Sequence, residues 1–329
     1  MKRIQLVGTQ RSGSNMLRLM LGQLPSVLTP PSAHELRDFQ PLIHKYMPLN
    51  DPANMERLVT DLGRLLDLNA LPWPSIHNRT NKIVETLDGT SLAHAVIALY
   101  DTYAQSFSAD CWVSKCLENM YYTDQLIATG RPITYVHLIR DPRDVTASFM
   151  TAPIGPKDPR AIALKWREDQ LEAERARVMV GDHHWVRVRY EDLVQAPEIT
   201  IRELCRVAEI DWSEAILQFH TSEAATTAAS ISDLWRNLNR PIDLSRIGSH
   251  KTQLDDRTIK SIENILRDLM DRFGYVPDTH GPTVIPTDEE RRRISEIDTE
   301  LRKHAQTVRD PESEQLHLRR EYFLRSLKE

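Results

Sequence analysis

The first 24 residues constrain this chain more than any later stretch, because they spell a strand, a glycine-containing turn and a helix in succession. Ile4 to Val7 is a short apolar run that ends on Gly8. From Asn15 onward Met16, Leu17, Leu19, Met20, Leu21 and Leu24 recur at helical spacing. Between the two lies Gly8-Thr9-Gln10-Arg11-Ser12-Gly13-Ser14-Asn15. Backbone N–H groups in such a turn point inward at a helix N-terminus, where the dipole favours an anion. A nucleoside-triphosphate loop reads G-x-x-x-x-G-K-[ST]. Here the glycine spacing is kept, but Ser14 replaces the lysine and Asn15 the hydroxyl residue. The lysine's β/γ-phosphate contact and the usual Mg²⁺ ligand are both missing. Arg11 carries a positive charge into the loop instead. The residues predict an anion cradle that needs no metal-bound triphosphate, although the loop alone would also suit a plain strand–turn–helix junction.

Further strands are predicted at Val27-Leu28, Trp112–Ser114, Thr134–Ile139 and Trp185–Val188. Helices are predicted from Pro142 to about Met150, over roughly 160–180, and near 198–208 and 256–272. Strands alternating with helices argue for an α/β fold with a mostly parallel sheet covered on both faces. Residues 34–110 read as mostly helical, with prolines at 48, 52, 72 and 74. After Gly274 the chain becomes proline-rich, and from Asp288 to Glu329 highly charged. Residues 277–329 are therefore read as a helical extension to a domain of residues 1–276, solvated or docked on the body or on a second subunit in a homo-oligomer.

Composition narrows the partners. A net charge of −5 over 329 residues argues against nucleic acid. Cys111, Cys116 and Cys205 offer neither zinc spacing nor a disulfide framework. No signal-peptide pattern opens the chain, and no apolar run approaches the roughly 20 residues of a membrane span. A cytoplasmic protein without a membrane span is the expectation.

A second anion signal lies at Val136-His137-Leu138-Ile139-Arg140-Asp141-Pro142-Arg143-Asp144-Val145-Thr146-Ala147-Ser148. A strand delivers Arg140 to a sheet edge, and a helix capped by Asp141 and Pro142 carries Ser148 about two turns further on. Arginine grips a phosphate bidentately and serine adds a hydroxyl donor. Together the two signals resemble the sulfotransferase family that uses 3′-phosphoadenosine 5′-phosphosulfate (PAPS). Arg11-Ser12-Gly13-Ser14-Asn15 is similar to its 5′-phosphosulfate loop, and Arg140 with Ser148 to its 3′-phosphate motif. Arg189-Tyr190-Glu191-Asp192-Leu193 resembles its R-Y-E-D-L segment. Arg246-Ile247-Gly248-Ser249-His250-Lys251 resembles, more loosely, its late loop over the nucleotide. The matching pieces run in the family's order over about residues 3–275.

The resemblance implies a three-layer α/β sandwich related to P-loop nucleotide kinases. It implies PAPS as donor and PAP as product, with Tyr190, Arg246, Gly248 and Lys251 beside the nucleotide. Arg11 would stabilise the leaving phosphate and Lys115, after the third strand, would orient the sulfonate. A hydroxyl or amine acceptor needs a base. In Pro30-Pro31-Ser32-Ala33-His34-Glu35-Leu36 that base is His34, or Glu35, with Glu35 alternatively orienting His34. An imidazole ordinarily titrates near pH 6.5, which suits a base at neutral pH. His137, inside an apolar strand, reads as a satisfied core residue. Residues 34–110, the Pro153–Pro159 loop and the segment near 220–245 would hold an aryl, lipid, polyketide or sugar acceptor. A P-loop kinase and a catalytically silent PAPS- or PAP-binding protein are the competing readings.

Overall fold

In a computed structural model, the chain is described for residues 1–328 except 70, 72, 74, 75, 232–234 and 307–310. The interruptions expected at Pro72 and Pro74 lie outside the described residues.

Five strands form one sheet: β1 (Lys2–Val7), β2 (Val27–Leu28), β3 (Cys111–Ser114), β4 (Thr134–Ile139) and β5 (Trp185–Arg189). Their order is β2-β3-β1-β4-β5 and every pair is parallel. The centre of β1 is flanked on both sides, with Ile4 opposite Val113 and Thr134. A strand buried on both faces is mostly apolar, and the polar side chains that β1 and β4 bury, Gln5 and His137, are hydrogen-bonded.

Side chains alternate between the two faces. Ile4 and Leu6 of β1, Val113 of β3 and Val136 and Leu138 of β4 enter one apolar cluster with Leu17, Met20 and Leu204. Val7, Trp112, Tyr135 and Trp185 enter another, built with the helices Pro52–Asp67 and Leu92–Ser106. Each fully buried aliphatic side chain contributes about 1.5–3 kcal/mol. The three layers follow from this two-sided burial. His137 is buried in β4 beside Gln170, at 2.7 Å, and burial together with Arg187 lowers it to about 3. Gln170 in turn donates to Thr9 Oγ1 at 3.0 Å, fastening the first loop to the helix Pro159–Val180.

Because all strands are parallel, their carboxyl ends share one edge. The chain reverses its direction of winding beside β1, and ligands bind at such switch points. Gly8, Lys115, Arg140 and Tyr190 each follow a strand directly onto that edge.

Two charged helices, Asp288–Gln306 and Pro311–Ser326, lie on the body. Ile294 is buried in the cluster of Trp166 and Leu266. Asp298 accepts the backbone N–H of Lys157 at 2.5 Å and of Asp158 at 2.9 Å. Phe323, Leu324 and Leu327 pack on the cluster under residues 34–110. Among the described residues no helix is long and apolar enough to cross a membrane.

Candidate active site

The first loop requires glycine where it turns. Gly13 has φ +92°, and a Cβ there would stand 2.6 Å from the Tyr190 ring. Arg11 also lies in the left-handed region, at φ 68°, a conformation that costs energy for a side-chain-bearing residue. That turn aims its guanidinium across the sheet edge, where Nε donates to Ser148 Oγ at 3.1 Å.

Arg140 lies at the same edge, stacked 4.2 Å over the Tyr190 ring. It donates from Nη1 to the Arg11 carbonyl at 3.2 Å and from Nη2 to the Arg246 carbonyl at 2.7 Å. Asp144, one helical turn on, accepts the N–H groups of Gly248 and His250, each at 2.9 Å, and His250 Nδ1 at 2.7 Å. It thereby clasps the late loop to the helix Pro142–Thr151. Burial would raise this carboxyl, but the His250 and Gly248 donors and Arg140 outweigh it and hold it low.

A cleft of about 280 Å³ opens here, lined by Arg11, Gly13, Ser14, Asn15, Arg140, Ser148, Tyr190 and Arg246. Ser12 is buried within the loop, and Gly248 faces Asp144 rather than the cleft. Lys251 is exposed on the short helix His250–Gln253 and does not line the cleft. Burial and the neighbouring Arg140 lower the Arg11 guanidinium, the mark of two cations crowded together. Ser12 Oγ and Arg140 Nε are buried without partners among the described residues. Orphaned donors beside two crowded cations fit a ligand with more than one anionic group, as PAPS is.

A second cavity, of about 400 Å³, holds the other candidates. His34 and Lys115 line it. Asn15, Trp235 and Leu238 line both cavities, so the two share a wall. The segment near 220–245, expected at the acceptor, also walls the first cleft through Trp235, Asn237 and Arg240.

The loop before His34 is held from behind. Trp73 Nε1 donates to the Pro31 carbonyl and Asn69 Nδ2 to the Ser32 carbonyl, both at 2.9 Å. His34 has φ 63°, and its N–H meets Cys116 Sγ at 3.3 Å. Its Nδ1 is bonded to Glu118. Burial would raise the Glu118 carboxyl, but His34 and Arg37 prevail and hold it at about 2. A carboxylate on Nδ1 fixes the proton there and leaves Nε2 as the basic nitrogen.

Glu35 faces the other way. It is fully buried, accepts from Tyr100 OH at 3.0 Å and Cys116 Sγ at 3.2 Å, and lines neither cavity. Burial pushes its carboxyl up. The carboxylate bonded to His34 is Glu118, which sequence reasoning missed. Its signal is position, three residues beyond the strand-end Lys115. Burial and Arg18 lower Lys115 to about 8, so it remains mostly charged at neutral pH.

Residues 3–214, more than half of the chain, match the sulfotransferase family. The chain is 22% identical over 187 residues to the protein-tyrosine sulfotransferase A of Caenorhabditis elegans, a match covering 53% of this chain and 46% of that relative. It thus spans about half the length of that curated relative. Among solved structures, the sulfotransferase domain of the Synechococcus PCC 7002 olefin synthase superposes with a TM-score of 0.53 at 22% identity, over 79% of this chain and 93% of that one. The sulfotransferase domain from the curacin biosynthetic pathway gives 0.55 at 19% identity, over 84% and 98%. These two likenesses carry the fold, and the match over residues 3–214 carries the family: the chain belongs to the sulfotransferase family.

Proposed function

We propose that the protein transfers a sulfuryl group from PAPS to the hydroxyl of a small-molecule acceptor, with His34 as base. The observation that carries this reading is the shared wall between the two cavities, with the paired arginines on one side and the Glu118-bound imidazole on the other.

Arg11, with the N–H groups of the loop around Gly13, would hold the 5′ end of the nucleotide. Arg140 and Ser148 would hold the 3′-phosphate, with Tyr190 supporting the guanidinium from below. PAPS, when bound, supplies the electrophilic sulfuryl group and a phosphate leaving group. Lys115 would place a positive charge beside the transferring sulfonate, and Arg11 would offset charge on the leaving phosphate. His34 Nε2 would take the acceptor's proton, while Glu118 keeps the ring oriented and stabilises the imidazolium. Ser14 and Asn15, at the lysine and hydroxyl positions of a triphosphate loop, weigh against a kinase.

Thermal denaturation with PAP, PAPS or ATP, each with and without Mg²⁺, tests the donor. A ligand at 100 times its Kd adds about 2.7 kcal/mol of stability. PAP should raise the midpoint without metal and ATP should not; a shift that requires both ATP and Mg²⁺ would overturn the reading. His34→Ala should retain the PAP shift and lose sulfuryl transfer from PAPS in an acceptor screen. If turnover persists, His34 is not the base.

A further inference from the structure

The cavity on the His34 side has a lopsided charge. Arg18, Arg37, Lys115 and Arg320 line it, with His34 and His317, and no carboxylate does so among the described residues. Three acids among the described residues pair with side chains of this lining, and one of them, Glu321, meets His317 at 3.1 Å. Glu118 pairs with His34 and Arg37, and Asp38 pairs with Arg37 and Arg320.

Arg18 is the anomaly. Its side chain is buried in the helix Ser14–Leu21 and, among the described residues, has no ion pair and one hydrogen bond, from Nη1 to the Thr29 carbonyl at 2.7 Å. Its Nε is buried without a partner among the described residues. A buried, uncompensated guanidinium is costly unless a ligand completes it. In the proposed transfer Lys115 stands beside the sulfonate, and Arg18 has no part in that step. Arg320 enters from the C-terminal helix, beyond the family-matched residues 3–214, and is anchored beside His34 through the Ala33 carbonyl and Asp38. The remaining wall includes Leu68, Leu71, Ile154 and Trp235.

We propose that the acceptor is amphipathic and carries, besides its hydroxyl, an oxyanion, either a carboxylate or a phosphate monoester, which Arg18 and Arg320 bind. Guanidinium forks suit such planar or tetrahedral oxyanions, and the apolar wall takes the chain that links anion to hydroxyl. The C-terminal helix is then a specificity element of this chain. This inference rests on the sulfotransferase reading, because it needs the His34 cavity to be the acceptor site.

The test is calorimetric titration of the full-length protein saturated with PAP. Three probes share one chain: ω-hydroxydodecanoate, ω-hydroxydodecyl phosphate and the neutral ω-hydroxydodecanamide. At least one oxyanion should bind about 10-fold or more tightly than the amide, and which one does so separates carboxylate from phosphate. Arg18→Met should remove most of that preference with PAP affinity unchanged, and Arg18→Lys should restore part of it. Arg320→Met should act in the same direction, with its melting temperature measured to separate lost charge from undocking. Equal affinity for the amide and both oxyanions, including no measurable binding by any of them, overturns the inference while PAP binding leaves the sulfotransferase reading standing. A preference that survives in both Met variants also overturns it. Failure to bind PAP removes the sulfotransferase reading, and this inference with it.

Discussion

Glu35 and Glu118 both approach His34, and their surroundings drive them apart. Burial outweighs the Cys116 and Tyr100 donors and leaves Glu35 a raised carboxyl that points into the core, whereas His34 and Arg37 overcome burial at Glu118 and keep it ionised. Glu118→Gln should therefore lower kcat on the order of 10²-fold with PAP affinity unchanged, because an amide no longer enforces the productive tautomer. Glu35→Gln should leave kcat within several-fold, and steady-state kinetics on the two variants separates the roles. The same contrast fixes a sign in acid. A Glu118 carboxyl held at about 2 gives stability that is present above its ordinary value and lost as pH falls toward 2. Glu118→Gln should thus show a shallower loss of melting temperature between about pH 4.3 and 2 than the parent.

The loop–helix junctions that place Arg11, Arg140 and Ser148 beside one cleft were legible because their signals are local. Glycine spacing, the Asp141-Pro142 cap and the strand-end arginine all lie within a few residues of the geometry they cause. Gly13→Ala meets two obstacles at once, a left-handed backbone and the Tyr190 ring. It should cost at least about tenfold in PAP affinity, measured by titration. Asp144→Ala leaves the N–H groups of Gly248 and His250, the His250 ring and Arg140 without their shared acceptor. Losing a buried carboxylate with such partners costs on the order of 3 kcal/mol, so both melting temperature and PAP affinity should fall.

The C-terminal helices belong to the whole molecule, since nothing in their own sequence says where they lie. Their charges read as solvated, yet Ile294, Asp298, Arg320 and Phe323 fix them against three different parts of the body. Asp298→Ala removes the acceptor of two buried N–H groups. With about 1–3 kcal/mol lost per unsatisfied group, the melting temperature should drop by several degrees. Limited proteolysis should cut faster between residues 277 and 287, the stretch that leads into these helices.

The parallel α/β architecture, the strand-end positions of the first loop and Arg140, and the helical position of Ser148 could be read from sequence, because each is written in contiguous residues with a period or a cap of its own. Which carboxylate bonds His34, the inward turn of Glu35 and the place of Trp235 between two cavities come from packing between distant segments. Tertiary structure alone brought Arg320 to the loop of His34, across nearly the whole length of the chain. Those outcomes depend on which side chains meet at the carboxyl edge of the sheet. Spacing along the chain does not encode a meeting between residues 34 and 118, or 33 and 320, whereas closure of the sheet and burial of its two faces do.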